Sequence, residues 1–232
     1  MKTILIYSGG LDSTVLLLKL LHDGHQVKAL SINYGQRHAR ELEAAALICA
    51  ELNVDHKTVD LSNLLPLLGG SSQTDPSIPV PHGHYAEENM KLTVVPNRNM
   101  LMLAVAGAYA ISTKADQIAY AAHNGDHAIY PDCREEFVAP LAQALQNADW
   151  HRVDIVRPFL QMSKTDIVRE GSRFASFILG MTYSCYEGQP MHCGLCGTCQ
   201  ERRVAFRDAG VPDPTHYNPE GLLKLPDDKL VS

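Results

Sequence analysis

The apolar run "ILIY" (residues 4–7) leads directly into "SGGLDST" (8–14), which opens a leucine-rich stretch that stops at Gly24. A short buried strand, a glycine-bearing turn and a helix in immediate succession commit the chain to a βαβ start. The alternation then repeats. "QVKALSINY" (26–34), "HKTVDL" (56–61), "DQIAYAA" (116–122) and "VDIVRPF" (153–159) read as strands, after "KTILIY" (2–7). Residues 13–24, 36–53, 99–112, 131–148 and 163–175 read as helices. In the second of these, Leu42, Ala45, Ala46, Cys49 and Leu52 recur at helical spacing. The fourth opens on Pro131 and early acids, and Ser163 is placed to cap the fifth. Strands joined by helices predict an α/β fold with a doubly wound, Rossmann-like parallel sheet. Such sheets take ligands beyond the carboxyl ends of their strands. A chain of 232 residues suits one main domain with a small appendage, here 1–180 and 181–232. The stretch 62–97 has little periodicity and prolines at 66, 76, 79, 81 and 96, so a lid or binding loop is expected there.

Charge narrows the partners. Lys and Arg total 20, Asp and Glu 26, for a net charge of -6. A stable nucleic-acid partner is not expected of such a chain, whereas a small nucleotide is compatible with it. The N-terminus "MKTILIYSGG" turns polar too soon for a signal peptide. No apolar run reaches membrane-spanning length. The expectation is a cytoplasmic protein with no membrane partner.

Four of the six cysteines fall between residues 185 and 199. In a reducing compartment such crowding suggests a metal rather than disulfides. Within "CYEGQPMHCGLCGTC", Cys185, Cys193, Cys196 and Cys199 can supply four thiolates to one tetrahedral Zn2+. Gly194 and Gly197 allow the tight turns that bring backbone N–H groups to the sulfurs. An iron–sulfur cluster also takes four cysteines. The short, closed knuckle favours a structural zinc. Cys49 and Cys133 lie outside it and are expected as buried thiols.

The turn at 8–14 has the makings of an anion site. Gly9 and Gly10 permit close backbone approach, and Ser13 and Thr14 open a helix whose N–H groups and dipole favour phosphate. Asp12 repels phosphate unless a cation such as Mg2+ intervenes, or unless it organises the loop. The "GK[ST]" of a Walker loop, which serves terminal-phosphate transfer, is missing.

"SGGLDST" resembles the PP-loop of the N-type ATP pyrophosphatases. These enzymes share an adenine nucleotide alpha hydrolase-like fold, cleave ATP between the alpha and beta phosphates and adenylate an oxygen. "YGQRH" (34–38), "VPNRN" (95–99), "YPDCREEF" (130–137), "TYSCYEG" (182–188), "CGLCGTC" (193–199) and "DPTHY" (213–217) follow in the order found in the QueC family. The resemblance spans nearly the whole chain. It implies an ATP-dependent carbon–nitrogen ligase of queuosine biosynthesis that turns 7-carboxy-7-deazaguanine and ammonia into 7-cyano-7-deazaguanine (preQ0). The carboxylate is adenylated, ammonia displaces AMP to give an amide, and the amide oxygen is activated in turn. The resemblance also implies a homodimer acting on small-molecule substrates.

Carried onto this sequence, the resemblance gives ATP to Tyr7, Ser8, Gly9, Gly10, Leu11, Asp12, Ser13, Thr14, Arg98 and Lys164, with Mg2+ as its companion. Asp12, Ser13 and Lys164 are the catalytic candidates. Arg37, His38, Asp126, His127, Tyr130 and Asp132 are the candidates for contact with the deazaguanine acid. Two departures stand out. The family often reads "PGRN" where this chain has "PNRN", so Asn97 is predicted to take positive φ. Many members carry "SGYPDCR" where this chain has "AHNGDHAIYPDCR", which puts Asp126 and His127 near the pocket. Three alternatives stay open from the residues. One is a QueC-like enzyme joining the acid to a protein amine. Another is a tRNA-modifying PP-loop enzyme, and the last a zinc-knuckle interaction module on an inactive nucleotide fold.

Overall fold

Successive side chains of the first two strands face opposite ways, and each side finds a helical layer. The computed structural model describes residues 1–83 and 88–223. Five parallel strands are present: β1 (Lys2–Ile6), β2 (Gln26–Asn33), β3 (Asp55–Asp60), β4 (Gln117–Ala119) and β5 (Asp154–Val156), in the order β3-β2-β1-β4-β5. Ile4, Leu30 and Ile118 point to one face and pack on α3 (Arg98–Thr113) and α5 (Glu135–Gln146). Leu5, Val27, Ala29 and Ala119 point to the other. There they meet α1 (Leu11–His22), α2 (Arg40–Glu51), α6 (Lys164–Phe174), α7 (Ser176–Met181) and α8 (Gly197–Ala209). Each fully buried aliphatic in these layers contributes about 1.5–3 kcal/mol.

The doubly wound parallel sheet is thus the architecture of the chain, and its topology sets the ligand crevice. Connections from β1 lead one way along the sheet through β2 to β3, then cross back to β4 on the opposite face. The carboxyl ends of β1 and β4, paired through Thr3–Gln117, Ile4–Ile118 and Leu5–Ala119, diverge at this switch point.

The element boundaries differ from the sequence expectations for identifiable reasons. The second helix begins at Arg40 rather than residue 36. Gly35 sits at φ 84, and Gln36 accepts from the Tyr34 N–H and donates to the Ile32 carbonyl, which fixes a turn. Pro131–Cys133 forms a separate 3-10 turn before α5. Ser163 caps α6 in a reciprocal capping box with Asp166. Asn97 has φ 55, the left-handed conformation predicted from its replacing glycine. The irregular stretch 62–97 carries 3-10 turns at Ser62–Leu67 and Glu88–Thr93. Residues 84–87 of that stretch, and 224–232 of the C-terminal region, lie outside the described residues. Two short helices, α4 (Asp126–Ile129) and α9 (Pro219–Leu223), complete the chain. None of the helices is long and apolar enough to cross a membrane, among the described residues.

Candidate active site

β1 releases the chain into the turn at Ser8–Gly10, and Gly10 is the N-cap of α1. Ser8 Oγ accepts from the Gly10 N–H at 3.2 Å and lies 3.1 Å from Ser13 Oγ, which donates to the Gly10 carbonyl. Tyr7, Ser8, Gly10, Leu11, Asp12 and Ser13 line a cleft over the first turn of α1, whose unpaired N–H groups favour an anion. Gly9 and Thr14 do not line it. Gly9 (φ 80) is pressed onto α2, and a Cβ there would lie 2.6 Å from the Ala45 nitrogen. Thr14 is fully buried, with its hydroxyl 3.1 Å from Tyr7 Oη. The first glycine of the pair is therefore required by helix packing, and the second borders the cleft.

Lys164, the first residue of α6, reaches Asp12: Nζ donates to Oδ2 at 2.6 Å. Glu201 of α8 completes a triangle, with Oε2 3.3 Å from the same ammonium. Burial alone raises the Asp12 carboxyl, but Lys164 foremost, then His123, outweighs it and holds the group below its ordinary value. Burial pulls the Lys164 ammonium down, and Asp12 and Glu201 more than reverse this, so its pKa is raised. A charged lysine thus stands beside the helix N-terminus, and Asp12 Oδ1 has no hydrogen-bond partner among the described residues.

The opposite wall comes from α3 and the segments after β4. Arg98 stacks over the Tyr130 ring, 5.6 Å from its centroid. Tyr130 Oη lies 3.0 Å from Thr93 Oγ1 and 3.1 Å from Tyr186 Oη. Arg98 makes no ion pair within 4 Å among the described residues, and its Nε is buried without a partner. His38 and Asp126 also line the cleft, and Asp126 Oδ2 accepts from the His123 N–H at 3.0 Å.

Three expected substrate contacts stand outside this cleft. The Arg37 guanidinium turns away and donates to the Asp75 and Ile78 carbonyls, clamping the long loop. Asp132 accepts from the Asn99 N–H at 3.0 Å and so caps α3. His127 is on α4 but not among the residues lining the cleft. Motif adjacency brought these residues to the neighbourhood, while backbone groups with unmet hydrogen bonds claimed the Arg37 and Asp132 side chains.

The four cysteines of the knuckle converge. Their sulfurs lie within 4.8 Å of one another, with Cys193 and Cys199 at 3.9 Å. A tetrahedral ion with sulfurs at about 2.3 Å separates them by about 3.8 Å. All four are free thiols. Cys193 Sγ accepts from the Leu195 and Cys196 N–H groups and Cys185 Sγ from the Cys193 N–H, as thiolates ligating a metal would. The donor set fits a metal ion held entirely by protein sulfur.

The C-terminal segment also supplies cleft residues that reasoning on the sequence missed. Ser184, Tyr186 and Thr198 line it, and Glu201 pairs with Lys164. They sit inside "TYSCYEG" and "CGTCQE", where thiolates drew the attention; their spacing from the cysteines was the available signal. Tyr34 and Glu41, from the turn after β2 and the first turn of α2, line the cleft as well.

Comparison with known proteins agrees with this geometry. The family model for queuosine biosynthesis protein QueC matches residues 2–210. A 7-cyano-7-deazaguanine synthase of Pseudoalteromonas translucida is 50% identical over 216 residues, covering 93% of this chain and 98% of that protein. One of Methanoregula boonei is 48% identical over 219 residues, covering 94% and 100%. Among solved structures, a 4-thiouridine synthetase–RNA complex with bound ATP superposes with a TM-score of 0.50 at 17% identity, over 96% of this chain and 48% of that one. That likeness concerns the fold.

Proposed function

Since the chain belongs to the QueC family, we propose that it is an ATP-dependent 7-cyano-7-deazaguanine synthase. In this reading ATP lies over the first turn of α1. Lys164 and the N–H groups there bear on its phosphates, while the deazaguanine acid lies against Tyr130, Tyr186 and Arg98. Asp12 orients Lys164 and offers its free oxygen toward Mg2+. The carboxylate attacks the alpha phosphorus and pyrophosphate leaves. Ammonia then displaces AMP to give the amide, and a second adenylation removes its oxygen as AMP and leaves the nitrile. Activation is needed because a carboxylate oxygen is a very poor leaving group. The four cysteines hold a structural Zn2+, and the enzyme works in the cytoplasm as a homodimer on small molecules.

The observation that carries this reading is the meeting of two unlike walls at the β1/β4 switch point. One is a helix N-terminus with a charged lysine, and the other an aromatic wall with Arg98, which makes no ion pair among the described residues. Sulfur transfer is less well supported. Cys133 is the only cysteine lining the cleft among the described residues, and burial pushes its thiol up to about 12. Mass spectrometry of a reaction containing 7-carboxy-7-deazaguanine, ATP–Mg and ammonium tests the proposal. The nitrile with AMP is the expected product. An adenylate that forms but does not proceed points to an amine of another protein as acceptor, and no turnover of either substrate overturns the reading.

A further inference from the structure

The synthase reading needs a nitrogen nucleophile, and near neutral pH ammonia is almost wholly ammonium, which has no lone pair. Some group in the cleft must take a proton from it. His38 meets the geometric requirements. It is 6% exposed and lines the cleft. Its Nε2 lies 3.3 Å from Glu41 Oε1, which also accepts from Gln36 Nε2 at 3.1 Å. An ionised carboxylate only accepts, so a proton on Nε2 faces it favourably, and in that tautomer the Nδ1 lone pair is available. Nδ1 is buried and has no hydrogen-bond partner among the described residues. A buried acceptor of this kind calls for a donor from a ligand.

Its neighbours fix where that donor would be. Behind Glu41, the backbone of α2 is packed directly against Gly9 of the loop. On the other side the His38 ring is 5.7 Å from that of Tyr186, whose hydroxyl meets Tyr130. His38 therefore stands between the loop and the aromatic wall. An adenylated carboxyl joining the two ligands must span that interval.

We infer that His38, oriented by Glu41, is the general base for nitrogen entry. The inference rests on the synthase reading. As the nitrogen bonds to the activated carboxyl carbon, the carbon–oxygen bond to AMP breaks and AMP leaves with the electron pair. An ammonium ion entering this step keeps two hydrogens in the amide. One surplus proton passes to His38 Nδ1 and the other to solvent, and His38 then returns its proton to solvent. Glu41 stays ionised and stabilises the imidazolium. The other titratable or charged groups near the pair are Tyr186, Tyr34 and Arg98. Arg37, next in sequence, faces away.

The test uses hydroxylamine, which is already neutral near pH 7 and needs no such base before it attacks. Purified full-length protein is given the acid, ATP–Mg and a mixture of ammonium and hydroxylamine. The ratio of amide-derived products to hydroxamate is then measured. Both arise from one adenylate, so the ratio is independent of how well each variant makes it. In H38A the ratio is expected to fall about a hundredfold. Amide formation by H38A should also rise with pH in step with free ammonia, while the wild type is flatter. E41Q, which keeps the shape of the site, should show a smaller fall and covers the case in which H38A does not fold. An unchanged ratio and a pH profile parallel to the wild type in either folded variant overturn the inference. Wild-type protein that makes neither product defeats the synthase reading instead.

Discussion

Lys164 Nζ lies 2.6 Å from Asp12 Oδ2 although 152 residues separate them in sequence, and the two side chains are 14% and 22% exposed. The pair ties the start of α6 to the first turn of α1 at the mouth of the cleft. With Glu201 present, the three charges sum to one negative at this edge of the cleft.

Removing the cation exposes what it balances. K164M leaves Asp12 and Glu201 buried together, at a cost of about 3–5 kcal/mol at neutral pH. Its stability should partly recover on acidification, as those carboxyls protonate. The wild type behaves otherwise. The lowered Asp12 pKa gives stability that is present above its unfolded value of about 4 and is lost as pH falls through the folded value. The raised Lys164 pKa gives stability that is present below about 10 and is lost as pH rises through the folded value. Denaturant midpoints from about pH 5 to 9 should therefore show no step from this pair.

D12A should abolish ATP–pyrophosphate exchange in the presence of the acid, with rates down by about a hundredfold or more. Its circular dichroism spectrum should remain that of the wild type. Exchange close to the wild-type rate would remove Asp12 from the chemistry.

Two glycines with similar backbone angles should respond very differently to alanine. Gly24 (φ 79) has nothing within 4 Å of an added Cβ, so G24A costs only the backbone term, about 1 kcal/mol. G9A adds a collision with α2 to the same term and should lose about 2–5 kcal/mol together with nucleotide binding. Urea unfolding of the two variants side by side checks the difference.

Replacing Cys196 by serine should release the metal and much of the soluble protein, because binding at such a site contributes on the order of 10 kcal/mol to folding. Elemental analysis of the purified variant and its melting curve are the readouts. A metal-free variant of native stability would falsify the structural role.

The strand–helix alternation made the sheet legible, and the sole constraint needed at Asn97 was its tolerance of φ 55. The four-cysteine cluster was legible because its residues lie at short spacings in one segment, whereas Lys164 was reached only through the family resemblance. That Arg37 and Asp132 would turn to backbone groups was not legible, since sequence does not reveal which backbone carbonyls or N–H groups lack partners. Those partners come from residues 75, 78 and 99, which only the tertiary fold brings near. Glu201 was hidden for a similar reason. Its spacing from Cys199 puts it on α8, but that spacing alone does not show that it faces the N-terminus of α6.

Cys199 and Glu201 are two residues apart on α8, so one rigid turn of helix joins the sulfur cage to the ion triangle. The knuckle is accordingly part of the cleft's scaffolding: a displacement of the four sulfurs is carried along one helix to the carboxylate that faces Lys164.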